Sequence, residues 1–434
     1  MKLAKIVLAT MALCLTGAAA AQTAPPQPIT IAVPQLPATR NVATPHGDAV
    51  RIGANISELI VADLRSSGLF VPLAPEAMRA YSRPEATAPL FNEWRKRGAR
   101  ALLFGFVDPR EDGRLAVGCY VYDVNAGREV GRQGFLVAPR DWRRAAHRCA
   151  DAALKGMTGQ PGIFDTRIAY IAETGDRMQL IKRLAIMDRD GTNHDYLTPG
   201  AVTVLAPRFS PDGERIAFVS YADRVPQVRV MSIADRQERS LAPPGGMSFA
   251  PSFSPDGRQI VFSGASNGNT DIYITQADGG QTYRLTSTPG IDTAASFSPD
   301  GRQIVFESDR SGSQQLYVMN ADGSDQRRIS FGGARYGSPV WSPTGDLIAF
   351  TRIAGEAMQI ATMAPDGTAE RLLTNGTTDE APTWAPSGQM ILFNRSDPAT
   401  GRSRLFNVPQ SGGAPRQVST PQDASDASWS PVRS

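Results

Sequence analysis

At 434 residues the chain is too long for one ordinary core, and 41% hydrophobic with 20% charged residues is the make-up of a soluble globular protein of two or more domains. Its 40 glycines and 33 prolines require frequent turns, which suit many short strands better than long helices. The formal charge is +3, and losing Lys2 and Lys5 with the first 21 residues takes it to +1, no electrostatic footprint for nucleic acid.

Lys2 and Lys5, an apolar run from Ile6 to Leu15 and small residues from Gly17 to Ala21 follow the order of a secretory signal peptide, with Ala19-x-Ala21 at the cleavage site. The apolar run is too short for a permanent anchor, and Leu13 before Cys14 is not the small residue that lipoprotein processing needs. No second long apolar segment follows, so the mature chain is expected to be exported and not membrane-spanning. Of the remaining cysteines, Cys119 and Cys149 either pair in an oxidising compartment or stay as two structural thiols; sequence does not choose.

Gln22 to Pro28 reads as a flexible tail, followed by the β-like run Ile29-Thr30-Ile31-Ala32-Val33. Ile52, Ile56, Ile60 and Leu64 keep the i, i+4 spacing of one helix face over residues 48–67, and Gly68 stops the helix. Residues 101–107 read as a buried strand; 115–124 and 129–137 read as two more, joined through Asn125-Ala126-Gly127. Helical spacing returns over 141–157. Residues 29–160 are therefore expected to form an α/β domain.

Past Thr158-Gly159-Gln160-Pro161-Gly162 the pattern becomes a repeat. Its copies are Phe209-Ser210-Pro211-Asp212-Gly213, Phe253-Ser254-Pro255-Asp256-Gly257, Phe297-Ser298-Pro299-Asp300-Gly301, Trp341-Ser342-Pro343-Thr344-Gly345, Trp384-Ala385-Pro386-Ser387-Gly388 and the truncated Trp429-Ser430-Pro431. Successive prolines lie 44, 44, 44, 43 and 45 residues apart, a period of one four-stranded propeller blade. Each complete copy leads into a strand with two apolar residues on one face, Ile216/Phe218, Ile260/Phe262, Ile304/Phe306, Ile348/Phe350 and Ile391/Phe393, and Arg167-Ile168-Ala169-Tyr170-Ile171 opens the series. Asp190-Gly191, Asp278-Gly279, Asp322-Gly323, Asp366-Gly367, Ser411-Gly412 and the degenerate Asp235-Arg236 mark a second hairpin turn in each unit. The first unit lacks its leading strand and the last motif lacks everything after it. Residues 164–434 are thus expected to form an all-β six-bladed β-propeller in which the strand near Trp429 completes the blade begun at Arg167.

Catalytic patterns fail on context. Gly264-Ala265-Ser266-Asn267-Gly268 has the spacing of a hydrolase nucleophile elbow but lies between two strand patterns, where the elbow needs strand then helix. His46, His147 and His194 are scattered, with no acidic or cysteine partner at ligand spacing, so no metal site or triad is expected and they read as surface or packing residues. The turn aspartates read as turn formers rather than calcium ligands, because Thr344 and Ser387 replace two of them without disturbing the repeat. No cofactor is expected. Interest moves to the segments just ahead of the leading strands, Met247-Ser248-Phe249-Ala250, Asp292-Thr293-Ala294, Arg335-Tyr336-Gly337-Ser338, Thr378-Asp379-Glu380 and Asp423 to Asp426, which in a propeller converge on one mouth of the central channel. Phe, Tyr and Arg among hydroxyls and carboxylates is the composition of a protein-binding site.

These residues resemble the TolB family of the bacterial Tol-Pal system. The resemblance rests on the Ala62-Asp63-Leu64-Arg65-Ser66-Ser67-Gly68 helix end and on the junction Gly162-Ile163-Phe164-Asp165-Thr166-Arg167-Ile168-Ala169-Tyr170 into Ser-Pro-Asp-Gly repeats, and it covers nearly the whole mature chain. It implies a non-enzymatic, soluble periplasmic scaffold that binds the lipoprotein Pal at the propeller mouth through Met247, Ser248, Phe249, Ala250, Asp292, Thr293, Arg335, Tyr336, Thr378, Asp379 and Glu380. It also implies that TolA is engaged by the tail Gln22, Thr23, Ala24, Pro25, Pro26, Gln27, Pro28, Ile29 and Thr30, in support of outer-membrane integrity and constriction at division. Ala250 and Thr293 match the family's Pal-contacting pattern, whereas Met247 stands where some members carry a polar residue. A bulky charged residue at Thr293 or Tyr336 is then expected to weaken Pal binding without lowering the melting temperature. The alternatives are the accessory propeller of an exported peptidase, which is expected to continue into a hydrolase domain where this chain stops at Ser434, and a ligand-binding propeller.

Overall fold

The computed structural model describes residues 27–433 apart from 177–178, 242–245 and 267. The expected signal peptide and the tail positions Gln22, Thr23, Ala24, Pro25 and Pro26 lie outside the described residues.

The N-terminal part is a five-stranded sheet, β1 (Ile29–Ala32), β2 (Phe70–Pro72), β3 (Ala101–Pro109), β4 (Leu115–Asp123) and β5 (Arg128–Val137), in the order β2-β1-β3-β4-β5. Only β1 pairs in parallel, with β2 and β3. Helices α1 (Ala49–Ser66) and α3 (Trp142–Thr158) cover one face, where Ile52, Ile56, Ile60 and Leu64 are fully buried as their spacing requires. The Asp48 carboxylate caps α1 by accepting from the Arg51 amide at 2.8 Å, and Gly68 ends the turn with φ +73°. The short helix α2 (Phe91–Lys96) closes the other face, packing Trp94 edge-on to Phe104 and Phe91 on Tyr122. The region between Gly68 and Ala101, where no element was expected, therefore supplies a whole cover layer. Cys119 on β4 and Cys149 on α3 form a disulfide, with their Cα atoms 5.9 Å apart, which ties α3 to the sheet. That decides between the two readings left open by the sequence.

The rest of the chain forms six four-stranded sheets. Blade 2 is typical: inner strand Val204–Phe209, then Arg215–Ser220, Gln227–Ser232 and the outer Glu238–Ser240. The second-strand phenylalanines Phe218, Phe262, Phe306, Phe350 and Phe393 are at most 1% exposed. They lie between neighbouring blades; Ile260 and Phe262, for example, pack on Ala217, Val228 and Val230 of the blade before. Burial of each ring is worth about 2 kcal/mol.

The Ser-Pro-Asp-Gly turns explain their own sequence. The Ser254 hydroxyl donates to Asp256 at 2.6 Å and accepts from the Gln259 amide at 2.9 Å, Asp256 accepts from the Arg258 amide at 3.0 Å, and Gly257 takes φ +70°. Where Thr344 replaces the aspartate, Asp346 accepts from the Thr344 hydroxyl instead.

Blade 1 consists of Asp423–Trp429 followed by Arg167–Thr174, Ile181–Asp188 and Asp195–Tyr196, as the strand count requires. Trp429 pairs with Ile168 in the ladder, its indole N–H donates to the Thr166 hydroxyl at 2.9 Å, and the Ser430 hydroxyl accepts from the Arg167 amide at 2.8 Å. Among the described residues no helix is long and apolar enough to cross a membrane.

The α/β domain sits on the face of the ring that carries the hairpin turns. Arg143 on α3 bonds Asp190 of a blade 1 turn, Arg189 donates to the Ser66 hydroxyl at 3.0 Å, and Arg416 reaches the Ser66 carbonyl at 3.3 Å. The blade-to-blade connections therefore emerge on the opposite face, away from the α/β domain.

Candidate functional site

Each of the six inner strands breaks its ladder register three residues before the aromatic, and the residue at the break takes positive φ: Ala206 (49°), Ala250 (48°), Ala294 (53°), Ser338 (50°), Ala381 (53°) and Asp426 (47°). Only one conformation in a few per cent puts a non-glycine residue there, so the surroundings must hold it. They do so from the preceding blade: the Ala294 amide donates to the Ser263 hydroxyl at 3.2 Å, the Ser338 amide to Glu307 at 3.1 Å and the Ala381 amide to the Thr351 hydroxyl at 3.2 Å. At these three bulges the strained residue is held by a contact between neighbouring blades.

The segments singled out in the sequence are thus the first halves of the inner strands, or the residue just before one in the case of Thr378, and the bulge decides what each shows to solvent. Met247 and Arg335 are exposed, and Phe249, Ala250, Thr293, Thr378 and Glu380 are half-buried at the mouth. Ser248, Asp292, Tyr336 and Asp379 are buried, against the expectation that these segments offer their Tyr and carboxylates to a partner. Each has an internal partner instead. The Ser248 hydroxyl accepts from the Val228 amide at 2.8 Å; Asp292 holds Arg310 at 2.6 Å; Asp379 holds Arg395 at 2.5 and 2.8 Å. Tyr336 donates to Glu370 at 3.0 Å and packs on Phe350. A charged substitution at Tyr336 therefore acts on folding, which corrects the expectation that it leaves stability alone.

The mouth also gains residues that the repeat pattern did not mark. Phe331 is 74% exposed and Ile291 52%, both in connections between blades, and Tyr221 on a blade 2 loop is 40% exposed. Met247 at 38% adds a fourth exposed apolar side chain to this face, and the Arg328 guanidinium lies over the Phe331 ring at 5.3 Å. Phe331 in Phe331-Gly332-Gly333 carried a legible signal, a large aromatic with no room for a core around it. Glu307 of blade 4 and Glu380 of blade 6 stand beside the bulges. Burial pushes both carboxyls above the usual range, partly offset at Glu307 by donors from Gln314 and the Ser338 amide and reinforced at Glu380 by Asp426.

At the tail, Ile29 and Thr30 belong to β1, with the Ile29 amide on the Leu69 carbonyl at 2.8 Å and the Thr30 hydroxyl on the Gly98 carbonyl at 2.7 Å. This is the strand expected from Ile29 onward; Gln27 and Pro28 precede the sheet and are exposed.

His147 is not an ordinary packing residue. It is fully buried between the two domains, its Nδ1 2.7 Å from Asp63 and its Nε2 3.6 Å from Asp190, with Asp188 close by. Burial alone would lower its pKa, but the bond to Asp63 and the fields of Asp63, Asp190 and Asp188 together raise it. Asp190 and Asp188 also hold Arg143 and Arg433, so the cluster is a mixed-charge pin between the domains. Ser266 of the Gly-x-Ser-x-Gly segment pairs with Asn269 across a strand-to-strand hairpin, with no helix after it.

Two family models match the chain, the TolB amino-terminal domain over residues 23–130 and the TolB beta propeller domain over residues 154–433. The chain belongs to the TolB family. Among curated TolB relatives, it is 49% identical over 197 residues to a Tol-Pal system protein TolB of Rhizorhabdus wittichii, covering 45% of each chain. It is 50% identical over 213 residues to that of Zymomonas mobilis, covering 49% of this chain and 46% of the relative. The chain spans about half the length of the curated relatives it matches. A crystal structure of TolB from Acinetobacter baumannii is 26% identical, with a TM-score of 0.79, covering 94% of this chain and 98% of that one.

Proposed function

We propose that this TolB family member is a non-enzymatic scaffold of the periplasm that binds Pal at the propeller mouth and TolA through the residues ahead of β1, supporting outer-membrane integrity and constriction at cell division. The observation that carries the reading is the mouth remote from the α/β domain: a rim with exposed Met247, Ile291 and Phe331 around half-buried Phe249, Ala250 and Thr293. Exposed apolar side chains among polar neighbours are what a protein partner desolvates. The buried carboxylates Asp292 and Asp379 hold this surface rigid through their arginines rather than contact the partner.

Binding of purified Pal from the same organism to the full chain, by calorimetry, tests the proposal. Thr293→Arg places a charge beside Ser263, to which Thr293 is bonded at 2.9 Å, and is expected to weaken Pal binding about a hundredfold with little change in melting temperature. No binding of Pal to the unaltered chain overturns the reading.

A further inference from the structure

The axial channel of the propeller encloses a cavity of about 200 Å³. Its wall is made by the six bulge residues and, in five of the blades, one or two of the positions after them, and it is mostly small: Ala294, Ser252 and Thr383 are typical. Two charged side chains enter it, Arg208 of blade 2 and Asp426 of blade 1. Among the described residues Arg208 makes one side-chain hydrogen bond, from Nη1 to the neighbouring Pro207 carbonyl at 2.8 Å, and no ion pair. Asp426 is not its partner: its carboxylate reaches the Ala206 amide at 3.4 Å and acts on Arg208 only through its field.

A guanidinium has five N–H donors and does not shed its charge, so the half-buried Arg208 leaves most of its donors to whatever occupies the channel. Three other arginines drawn out of the solvent hold carboxylates, Arg310 on Asp292, Arg395 on Asp379 and Arg433 on Asp165 and Asp188, whereas the Arg189 side chain at the domain interface has, among the described residues, only the Ser66 hydroxyl. Arg208 keeps its donors on a lumen with room for about six waters. Burial in that channel pulls its pKa down, opposed by the field of Asp426.

We propose that the channel is an anion site that takes one carboxylate group, with Arg208 as its receptor. The planar fork of the guanidinium matches a carboxylate with two parallel hydrogen bonds. Asp426 in the same lumen sets the charge limit. Arg208 and Asp426 together are neutral, so any added anion is opposed by Asp426, a dianion such as phosphate more strongly than a monoanion. The carboxylate has two possible sources, a free small acid or an acidic side chain of the protein docked at the mouth. The second source rests on the function proposed above; the first does not.

Two titrations of the full chain separate them. Sodium acetate is added against sodium chloride at equal ionic strength, following carbon-13 acetate line width. Arg208→Gln is expected to weaken acetate binding about tenfold or more, the loss of a charge-assisted pair. Asp426→Asn keeps an acceptor and tolerates positive φ, and is expected to strengthen it. Pal is then titrated into the same three proteins. If the partner supplies the carboxylate, Pal displaces acetate and its affinity follows the same order across the variants; if the acid is free, acetate binds and Pal affinity is unchanged by Arg208→Gln. Acetate and Pal both indifferent to Arg208→Gln and to Asp426→Asn overturn the proposal, and Pal binding retained in that case leaves the mouth reading intact.

Discussion

Replacing Trp429 by alanine tests the non-covalent closure of the ring at a single side chain. Trp429 is 6% exposed, packs in one cluster with Ile168 and Tyr170 of its own blade and Leu392 and Leu405 of blade 6, and donates to Thr166. Removing such a side chain costs about 3–5 kcal/mol for lost burial and the cavity left behind. The hydrogen bond to buried Thr166 adds about 1 kcal/mol. At about 2–4 °C per kcal/mol for a domain of this size, the melting temperature is expected to fall by roughly 10–20 °C. Scanning calorimetry at one rate reads the shift, with Trp341→Ala as the comparison: Trp341 is 7% exposed, but its indole bonds within its own turn, to Gly345 at 3.2 Å. Removing residues 423–434 extends the perturbation to the whole strand, and with it the Arg433 pairs to Asp165 and Asp188 at 2.7 and 3.0 Å. A truncated chain that melts like the intact one refutes closure by this strand.

The domain interface is expected to depend on pH through His147. Its folded pKa is raised, so the stability it contributes is full below its ordinary value of 6.5 and is lost as pH rises through the folded value. His147→Gln removes that slope and leaves Asp63 without its buried partner, costing about 3 kcal/mol at pH 6; parallel pH profiles of the two proteins in urea contradict the assignment. Reducing the Cys119–Cys149 bridge, which spans 30 residues, is expected to cost about 3.5 kcal/mol, read as a lower melting temperature of the α/β domain with reductant; a melt indifferent to reductant argues against the pairing. Tyr336→Lys is expected to destabilise blade 5 by about 3 kcal/mol, because the ring is 1% exposed and bonded to Glu370; an unchanged melt would return Tyr336 to the binding surface.

The blade count, the closure and the packing phenylalanines were legible because they repeat at a fixed period and need only local rules: alternation in a strand and glycine in a turn. The bulges were not. Ala250, Ala294 and Ala381 carry no glycine or asparagine to announce positive φ, and what holds the latter two there is a hydroxyl on the blade before, 31 and 30 residues earlier in the chain. For the same reason Asp292 and Asp379 looked like offered carboxylates: their arginines stand 18 and 16 residues away and meet them only across a strand pair. His147 reads as isolated until α1, 84 residues earlier in the chain, packs Asp63 against it and the docked propeller brings Asp190 to its other side. The missing α2 layer has another cause, since six residues around one buried tryptophan are too few to establish a helical period.

The shared first blade also sets an order of events during synthesis. Chains emerge from the N-terminus, and the α/β domain has every strand of its sheet long before the propeller is complete. Strands from Arg167 onward emerge with the edge that Asp423–Trp429 will occupy still open, and about 250 further residues must follow before it is filled. Arg433, which bonds both Asp165 at the junction and Asp188 beside the His147 pin, arrives later still. Closing the ring and locking the two domains together therefore both wait on the last-made strand, so an unfinished chain lacks the ring that frames the mouth.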